Sequence, residues 1–375
     1  MDLRIVTVDS PKLKKAFIDF PHELYKDDKN YVAELHIAIK EHLDPKKNPY
    51  FKHSKAQLYL AYKGNKVVGR IAATVNNNYN QFHNCNIGFF GFFDCIDDLK
   101  TAKILLQKAE DYCIENNNVD RMLGPTNLTT NDTAGLLVEG FDAPPVVQMT
   151  YNKPYYIDLI EQLGYSKEID LYAYKIRSAT VNQKALRISD RIKQRLNSKG
   201  ITFRSVNMKK FAQEAKNIKN IYVQAWEKNW GFVPPTNEEF DFLAEGLKMV
   251  VNPKYAYMAE ENGKLVAFAV GLPNINEILI SNRRGRLFPT GIFKLLLGKN
   301  KTKQLRIVLL GVIESHRKLG IEAVFFANFI KAAIDNNIEF GEASWVLENN
   351  EMMVKGAENL NGERYKTYRI YSKSI

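Results

Sequence analysis

An apolar run from Ile307 to Val312 breaks at Glu314-Ser315-His316, and the chain re-enters as a helix through Arg317-Lys318-Leu319-Gly320-Ile321. Backbone N–H groups at a helix start have no intrahelical acceptor and lie at the positive end of the helix dipole. An anionic phosphate placed there satisfies both. Arg317 and Lys318 bring positive charge, and Gly320 lets the backbone approach closely. The junction is therefore a candidate pyrophosphate cradle. The plainer reading of the same residues is a helix start capped by Ser315. His316 is either a proton acceptor or a turn residue beside a phosphate.

The elements that must hold this junction read as follows. Leu3 to Val8 is strand-like, and Ser10-Pro11 opens a helix. Leu58 to Tyr62 and Lys66 to Val75 flank Lys63-Gly64-Asn65 as a hairpin. Ile87 to Phe93 is a buried strand, followed by a helix from Thr101 and a short strand at Val119 to Leu123. Gly124 to Pro154 is too long and too rich in Asn, Thr, Gly and Pro for a simple connection, and is expected to be a functional loop. A helix over Asn152 to Leu163, stopped by Gly164, and a strand over Leu171 to Ile176 complete the first half. Ile201 to Val206, a helix after Asn207, a hairpin around Asn262-Gly263, and the strand to Val312 repeat that order. A single offset of 197 residues pairs Asn152 with Asn349, Leu163 with Leu360 and Tyr174 with Tyr371, which marks an internal duplication.

The 375 residues exceed the roughly 250 to 300 at which one core stops growing, so two domains are expected. Their boundaries are placed at 1–178 and 200–375, with 179–199 as a linking helix. A hydrophobic content of 45% with 25% charged residues reads as globular, and no run reaches the roughly 20 apolar residues that cross a bilayer. The opening residues lack a secretory leader's apolar run, so a cytoplasmic protein is expected. Cys85, Cys95 and Cys113 have no metal-ligand spacing, and no metal is expected. The net charge of +11 calls for an anionic partner: a nucleotide cofactor, an anionic lipid or nucleic acid. The basic residues are spread over helix faces without stacking aromatics, which disfavours nucleic acid. Residues 283–299, with Arg283, Arg284 and Arg286 ahead of a short apolar run, fit either an insertion packed on its own domain or peripheral contact with an anionic membrane at its inner face.

The order of elements resembles the GCN5-related N-acetyltransferase superfamily. Leu310-Gly311-Val312 before Arg317 to Ile321 is similar to its acyl-CoA motif. A narrower resemblance rests on Ala225-Trp226-Glu227-Lys228-Asn229-Trp230-Gly231, Ser344-Trp345-Val346-Leu347-Glu348-Asn349-Asn350 and Lys366-Thr367-Tyr368-Arg369-Ile370-Tyr371. Gly135 to Pro145 and Asn152-Lys153-Pro154-Tyr155-Tyr156 extend it into the first half. Together they look like a bacterial family related to YghO that includes bacterial ceramide synthases.

The resemblance implies an α/β (mixed α+β) fold of two tandem acyl-CoA N-acyltransferase-like domains, each a mixed, mostly antiparallel sheet flanked by helices. It implies acyl-CoA as co-substrate and transfer of an acetyl or fatty acyl group to a primary amine, possible acceptors including a sphingoid-type lipid amine. Leu310, Val312, Arg317, Lys318, Gly320 and Ile321 would bind the donor. Trp226, Asn229, Trp230, Trp345, Asn349, Asn131 and Tyr155 would line the acceptor. An amine of pKa ~10 must lose a proton before it attacks, and Glu314 and Glu348 are the carboxylates expected to take it. Each has a plainer role, Glu314 as a turn residue and Glu348 as a helix cap. Glu322 stands where the motif usually has Gly or Ala, and Ala357 and Ile160 stand where a thiolate-protonating Tyr is usual. Asp94, Asp97 and Asp98 follow the first half's buried strand where a phosphate would want positive charge, so the first domain is expected to be a degenerate copy. Two other classes stay open: a non-catalytic binding relic, and a transfer-RNA-dependent aminoacyl transferase.

Overall fold

The structure, a computed structural model, describes residues 2–288 and 291–375. The first stretch of chain runs β1 (Leu3–Thr7), α1 (Pro11–Leu24), α2 (His36–His42), β2 (Lys55–Lys63), β3 (Lys66–Val75), α3 (Asn77–His83), β4 (Ile87–Cys95), α4 (Leu99–Asn117), β5 (Arg121–Gly124), β6 (Leu136–Glu139), α5 (Tyr155–Gln162) and β7 (Ser166–Arg177). It continues through α6 (Gln183–Ser198), β8 (Ile201–Ser205), α7 (Phe211–Trp226), α8 (Asn237–Lys248), β9 (Ala256–Glu261), β10 (Lys264–Pro273), α9 (Asn276–Leu279), α10 (Gly291–Gly298), β11 (Gln304–Val312), α11 (Ile321–Asp335), β12 (Phe340–Leu347), α12 (Glu351–Asn359) and β13 (Glu363–Ser374).

Local chemistry sets many of these bounds. Ser10 Oγ accepts Leu13 N–H, and Pro11 occupies the first turn of α1, where a missing N–H costs nothing. Asp98 caps α4 in the same way, so that helix begins at Leu99, slightly earlier than the expected Thr101. Asn262 and Gly263 take positive φ, as a two-residue hairpin between β9 and β10 requires.

The chain forms two compact units. The first comprises Met1–Leu171, Leu279–Lys294 and Lys366–Ile375, and the second Tyr172–Ile278 and Leu295–Tyr365. This division differs from the sequence boundaries in several respects: Lys366–Ile375 falls in the first unit, residues 172–178 fall in the second, and two further segments are placed differently. The 16-residue α6, expected as a linker, packs within the second unit, where Ile192 lies beneath Gly320 and Arg195 donates to Leu319 O. The arm 279–294 joins the first unit, held by Arg283, which donates to the carbonyls of Asp28 at 2.6 Å and Tyr31 at 3.1 Å.

In the first unit the strand order is β1-β2-β3-β4-β5-β13, with β6 also on β13. All neighbours are antiparallel except β4 and β5. In the second unit the order is β8-β9-β10-β11-β12, antiparallel except for β11 and β12. Each sheet is thus mixed and mostly antiparallel. Each has its own apolar core, one around Phe90, Leu105, Tyr156 and Leu159, the other around Phe325, Phe329, Ala267 and Leu305.

Candidate active site

In the second unit β11 and β12 run parallel only from Gln304↔Phe340 to Ile307↔Ala343. Among the described residues no ladder pair joins them beyond that point, although β11 continues to Val312 and β12 to Leu347. The cause lies on the other side of β11. Its pairing with β10 shifts between Val270↔Leu309 and Gly271↔Ile307, leaving Val308 as an extra residue. A bulge bends and overtwists its strand, so β11 turns away from β12 at that position. A wedge opens, with Val308, Leu309 and Leu310 half-buried along its β11 edge. Trp226, at the end of α7, donates its indole N–H to Leu310 O at 3.0 Å.

At the open end of the wedge stands the junction singled out by sequence. The residues are in place, but some of them serve the protein itself. Arg317 donates from Nη2 to Ala225 O at 2.9 Å and from Nε to Val312 O at 3.4 Å, so it ties α7 to the end of β11. The amides of His316 and Arg317 close a short 3₁₀ turn on Ile313 O and Glu314 O. His316 is buried, with Nδ1 on Ser315 Oγ at 2.8 Å and Nε2 3.3 Å from Glu261. Ser315 therefore does not cap α11. The N-cap is Gly320, whose φ of +91° only glycine adopts without strain.

Glu322 lies in the first turn of α11. Burial raises its carboxyl pKa, and that carboxyl accepts its own residue's amide. Helix geometry leaves the amides of Ile321 and Ala323 without an intrahelical acceptor, and exposed Lys318, at φ +67°, supplies the cation there.

The remaining sequence candidates divide by position. Glu314 is 69% exposed and paired with Lys228, whose hydrogen bond and charge lower its pKa. Glu348 and Asn349 follow the end of β12, and the helix cap expected of Glu348 is Asn350, whose side chain accepts Met353 N–H. Asn229 and half-buried Trp230 lie in the turn after α7. Asn131 and Tyr155 belong to the first unit, where Tyr155 donates to Cys95 O at 2.7 Å and the Asn131 amide to Thr129 Oγ1 at 3.0 Å.

At the closed end of the wedge is a polar cluster that sequence reading passed over. Glu342 is 0% exposed and accepts hydrogen bonds from Ser344 Oγ and the Tyr365 hydroxyl. Arg306, its cross-strand partner on β11, donates to Ser344 Oγ at 3.0 Å and stacks its guanidinium 5.1 Å from the Trp345 ring. Lys175 sits 4.2 Å over the Tyr365 ring. A carboxylate this deep is sustained by its donors. Its only local sign was a lone acid within an apolar strand.

No family model matches the chain. Protein YghO of Escherichia coli (strain K12) is 37% identical over 369 residues, covering 96% of this chain and 93% of that protein. The bacterial ceramide synthase of Caulobacter vibrioides (strain NA1000 / CB15N) is 36% identical over 382 residues, covering 100% of this chain and 98% of that protein. This chain belongs to the YghO and bacterial ceramide synthase family. Among solved structures, the YghO-family fold is similar to a tandem GNAT protein from the clavulanic acid biosynthesis pathway, with a TM-score of 0.59, 9% identity, and coverage of 100% of this chain and 98% of that one. A GCN5-related N-acetyltransferase from Anabaena variabilis follows with a TM-score of 0.52, 10% identity, and coverage of 99% and 72%. The tandem N-acetyltransferase fold expected from sequence is the fold observed.

The first unit holds the same wedge in another state. β4 and β5 pair in parallel from Ile87↔Arg121 to Phe89↔Leu123 and then part, again beside a register shift, here between Arg70 and Ala72 of β3. The loop after β5 fills that gap. Thr126 N–H donates to Phe90 O and Phe92 N–H to Asn127 Oδ1, both at 2.8 Å. A Cβ added at Gly91 would stand 1.8 Å from Thr126 O. The loop expected to serve function is, over 124–134, a structural plug.

Proposed function

We propose that the protein is an acyl-CoA-dependent N-acyltransferase whose donor lies in the wedge between β11 and β12. The observation that carries this reading is the coincidence of the Val308 bulge, the end of β11–β12 pairing and the amides of Ile321 and Ala323 in the first turn of α11. The diphosphate of CoA meets the amides of Ile321 and Ala323 and the Lys318 ammonium. The pantetheine arm runs back along the unpaired edge of β11, past Leu310, and brings the thioester to the closed end. Arg317 positions the turn by holding it to α7.

This placement moves the chemistry away from Glu314, which sits at the phosphate end, to the cluster of Glu342, Tyr365, Ser344 and Arg306. The amine nitrogen attacks the thioester carbonyl, the new C–N bond forms as the C–S bond breaks, and the thiolate takes a proton. Tyr365, oriented by Glu342, is the proton donor to that thiolate, while Glu348, just after β12, accepts the proton of the incoming amine. The acceptor is a long-chain primary amine of sphingoid type. The ceramide synthase name of a full-length relative and the apolar Trp226 and Trp230 near the wedge support this choice.

Calorimetry with CoA and a long-chain acyl-CoA tests the donor site, and mass spectrometry of the N-acyl product tests the reaction. Wild type should bind one CoA per chain. Lys318→Glu should weaken binding about tenfold, consistent with the loss of a charge-assisted phosphate contact. Tyr365→Phe should keep CoA affinity and lose at least about 100-fold in turnover, a typical contribution of acid–base assistance. Absence of CoA binding by wild type would overturn the reading. Full turnover in Tyr365→Phe would remove that residue's role.

A further inference from the structure

The helix α10 (Gly291–Gly298) is turned inside out. Within its sequence Leu295 is buried, while Phe293, Leu296 and Leu297 are 65%, 53% and 74% exposed. Their spacing of three and four residues places these three on one outward stripe. Phe288, just before the helix, is 69% exposed, and Pro289 and Thr290 of the same run lie outside the described residues. Single exposed apolar residues are ordinary, but a helix that turns its apolar stripe outward is not.

Along the sequence the segment around this stripe carries charge of one sign, although in space Glu34 lies against Gly285 and Glu277 accepts the Lys303 amide. From Ser281 to Lys303 the chain carries seven Arg and Lys residues and no Asp or Glu. Arg283 is spent on the carbonyls of Asp28 and Tyr31, Lys299 on Met249 O at 3.2 Å and Lys303 on Asn337 O at 3.4 Å. Arg284, Arg286, Lys294 and Lys301 remain exposed. The arm is anchored at its start, because His36 N–H donates to Gly285 O at 2.9 Å and a Cβ at Gly285 would meet Glu34 O at 2.0 Å. Gly298 fixes its end in the same manner, since a Cβ there would stand 2.8 Å from Ile278.

We propose that α10 and the basic residues around it form a docking surface for a bilayer of anionic phospholipid, with Phe293, Leu296 and Leu297 entering the acyl region and Arg284, Arg286, Lys294 and Lys301 meeting the headgroup phosphates. Apolar side chains flanked by cations match the interfacial region of such a bilayer, which offers hydrocarbon beneath a negative surface. A folded protein partner would match the apolar stripe, but the four exposed cations of a segment that carries no acid in its sequence favour an anionic surface. The proposal stands independently of the acyl acceptor assigned above.

Vesicle co-sedimentation of the full chain tests it, with vesicles of phosphatidylcholine alone or containing about a third phosphatidylglycerol. Wild type should pellet with the anionic vesicles, at least tenfold more tightly than with neutral ones, and should be released by high salt. Phe293→Asp with Leu297→Asp should abolish pelleting, and Arg284→Glu with Arg286→Glu should weaken it about tenfold, with the circular dichroism of both variants unchanged. A Phe293→Trp variant should shift its added fluorescence to the blue on binding. Failure of wild type to pellet, equal pelleting of the Asp double variant, or an unshifted Trp at position 293 would each overturn the proposal. Self-association through α10 without vesicle binding would also overturn it.

Discussion

The two wedges of this protein begin alike and end differently. Each lies where a parallel strand pair parts beside a register shift, β4 from β5 in the first unit and β11 from β12 in the second. In the first, Thr126 and Asn127 complete the backbone hydrogen bonds of Phe90 and Phe92 from within the chain. In the second, the indole of Trp226 satisfies Leu310 O while Val308 to Leu310 stay half-buried along an edge that, among the described residues, has no ladder pair with β12. A bulge accompanies the gap in both, and the length and composition of the following connection decide whether the chain itself fills it. On the proposed function, the plug leaves the first unit as scaffold and the second as the donor site.

The sharpest way to break this contrast is a methyl group at one glycine of each parting strand, Gly91 of β4 and Gly311 of β11. Gly91→Ala drives its Cβ into the Thr126 carbonyl, a backbone atom that cannot move without dismantling the plug. A cost of about 4 kcal/mol is expected, at the upper end for overpacking. Gly311→Ala meets the edge of the Phe268 ring at 2.8 Å, which a small ring shift relieves, and should cost about 1 kcal/mol. The three tryptophans, Trp226, Trp230 and Trp345, all lie in the second unit. Tryptophan fluorescence therefore follows that unit, and far-ultraviolet circular dichroism follows both. Gly91→Ala should bring an early melting step in dichroism that fluorescence does not share. Loss of both signals together would show that the plug stabilises the whole chain.

A second, smaller effect separates the units by acid. His22 is buried on α1, with Nδ1 2.9 Å from the Tyr31 hydroxyl, stacked on His36 and facing the charges of Arg70 and Asp19. Burial, then His36 and Arg70, lower its pKa from 6.5 to about 4. Between these values the unfolded chain binds a proton that the folded first unit refuses. Stability therefore rises with pH across the window and is lost on acidification from about pH 6.5 to pH 4, to a total of about 3 kcal/mol. Glu322 of the second unit works in the opposite sense, because its raised carboxyl pKa favours the folded state at low pH and loses that contribution as pH rises. At pH 4 to 5 the dichroism of wild type should therefore show the first unit melting ahead of the fluorescence transition, and His22→Phe should close that gap. A wild-type gap that does not change with pH would refute the assignment.

Much of this arrangement was legible in the chain, and what was not shares one cause. The offset of 197 residues carries β7, Ser166–Arg177, onto β13, Glu363–Ser374, end for end, because strand and turn signals are local. The strand-to-helix junction from Ile307 to Ile321 was readable for the same reason. The bulge at Val308 was not, since it exists only in the register against β10. The cluster at the closed end escaped because Glu342 meets Tyr365 from 23 residues away and Arg306 from the neighbouring strand. Arg317 was read as a donor-binding residue from its charge and its place in the motif, and the fold also uses it on two carbonyls, which the sequence did not show. Asn, Thr and Gly suit a binding loop and a plug equally, so residues 124–134 could not be assigned from composition.

The smallest change asks how little separates plug from site. Asn127 Oδ1 accepts Phe92 N–H at 2.8 Å, and its Nδ2 donates to Thr133 Oγ1 at 2.8 Å. Asn127→Ala removes both bonds and leaves a strand N–H in partly buried surroundings without its acceptor, at an expected cost of about 1–2 kcal/mol in urea unfolding. The Thr126-to-Phe90 bond and fully buried Leu128 still hold the loop in the gap. Calorimetry on this variant should therefore still count one CoA per chain, because a gap that remains filled admits no second donor. A second binding event would mean that one amide side chain keeps the first wedge closed. The two units would then differ by a removable pin rather than by the whole connection after β5.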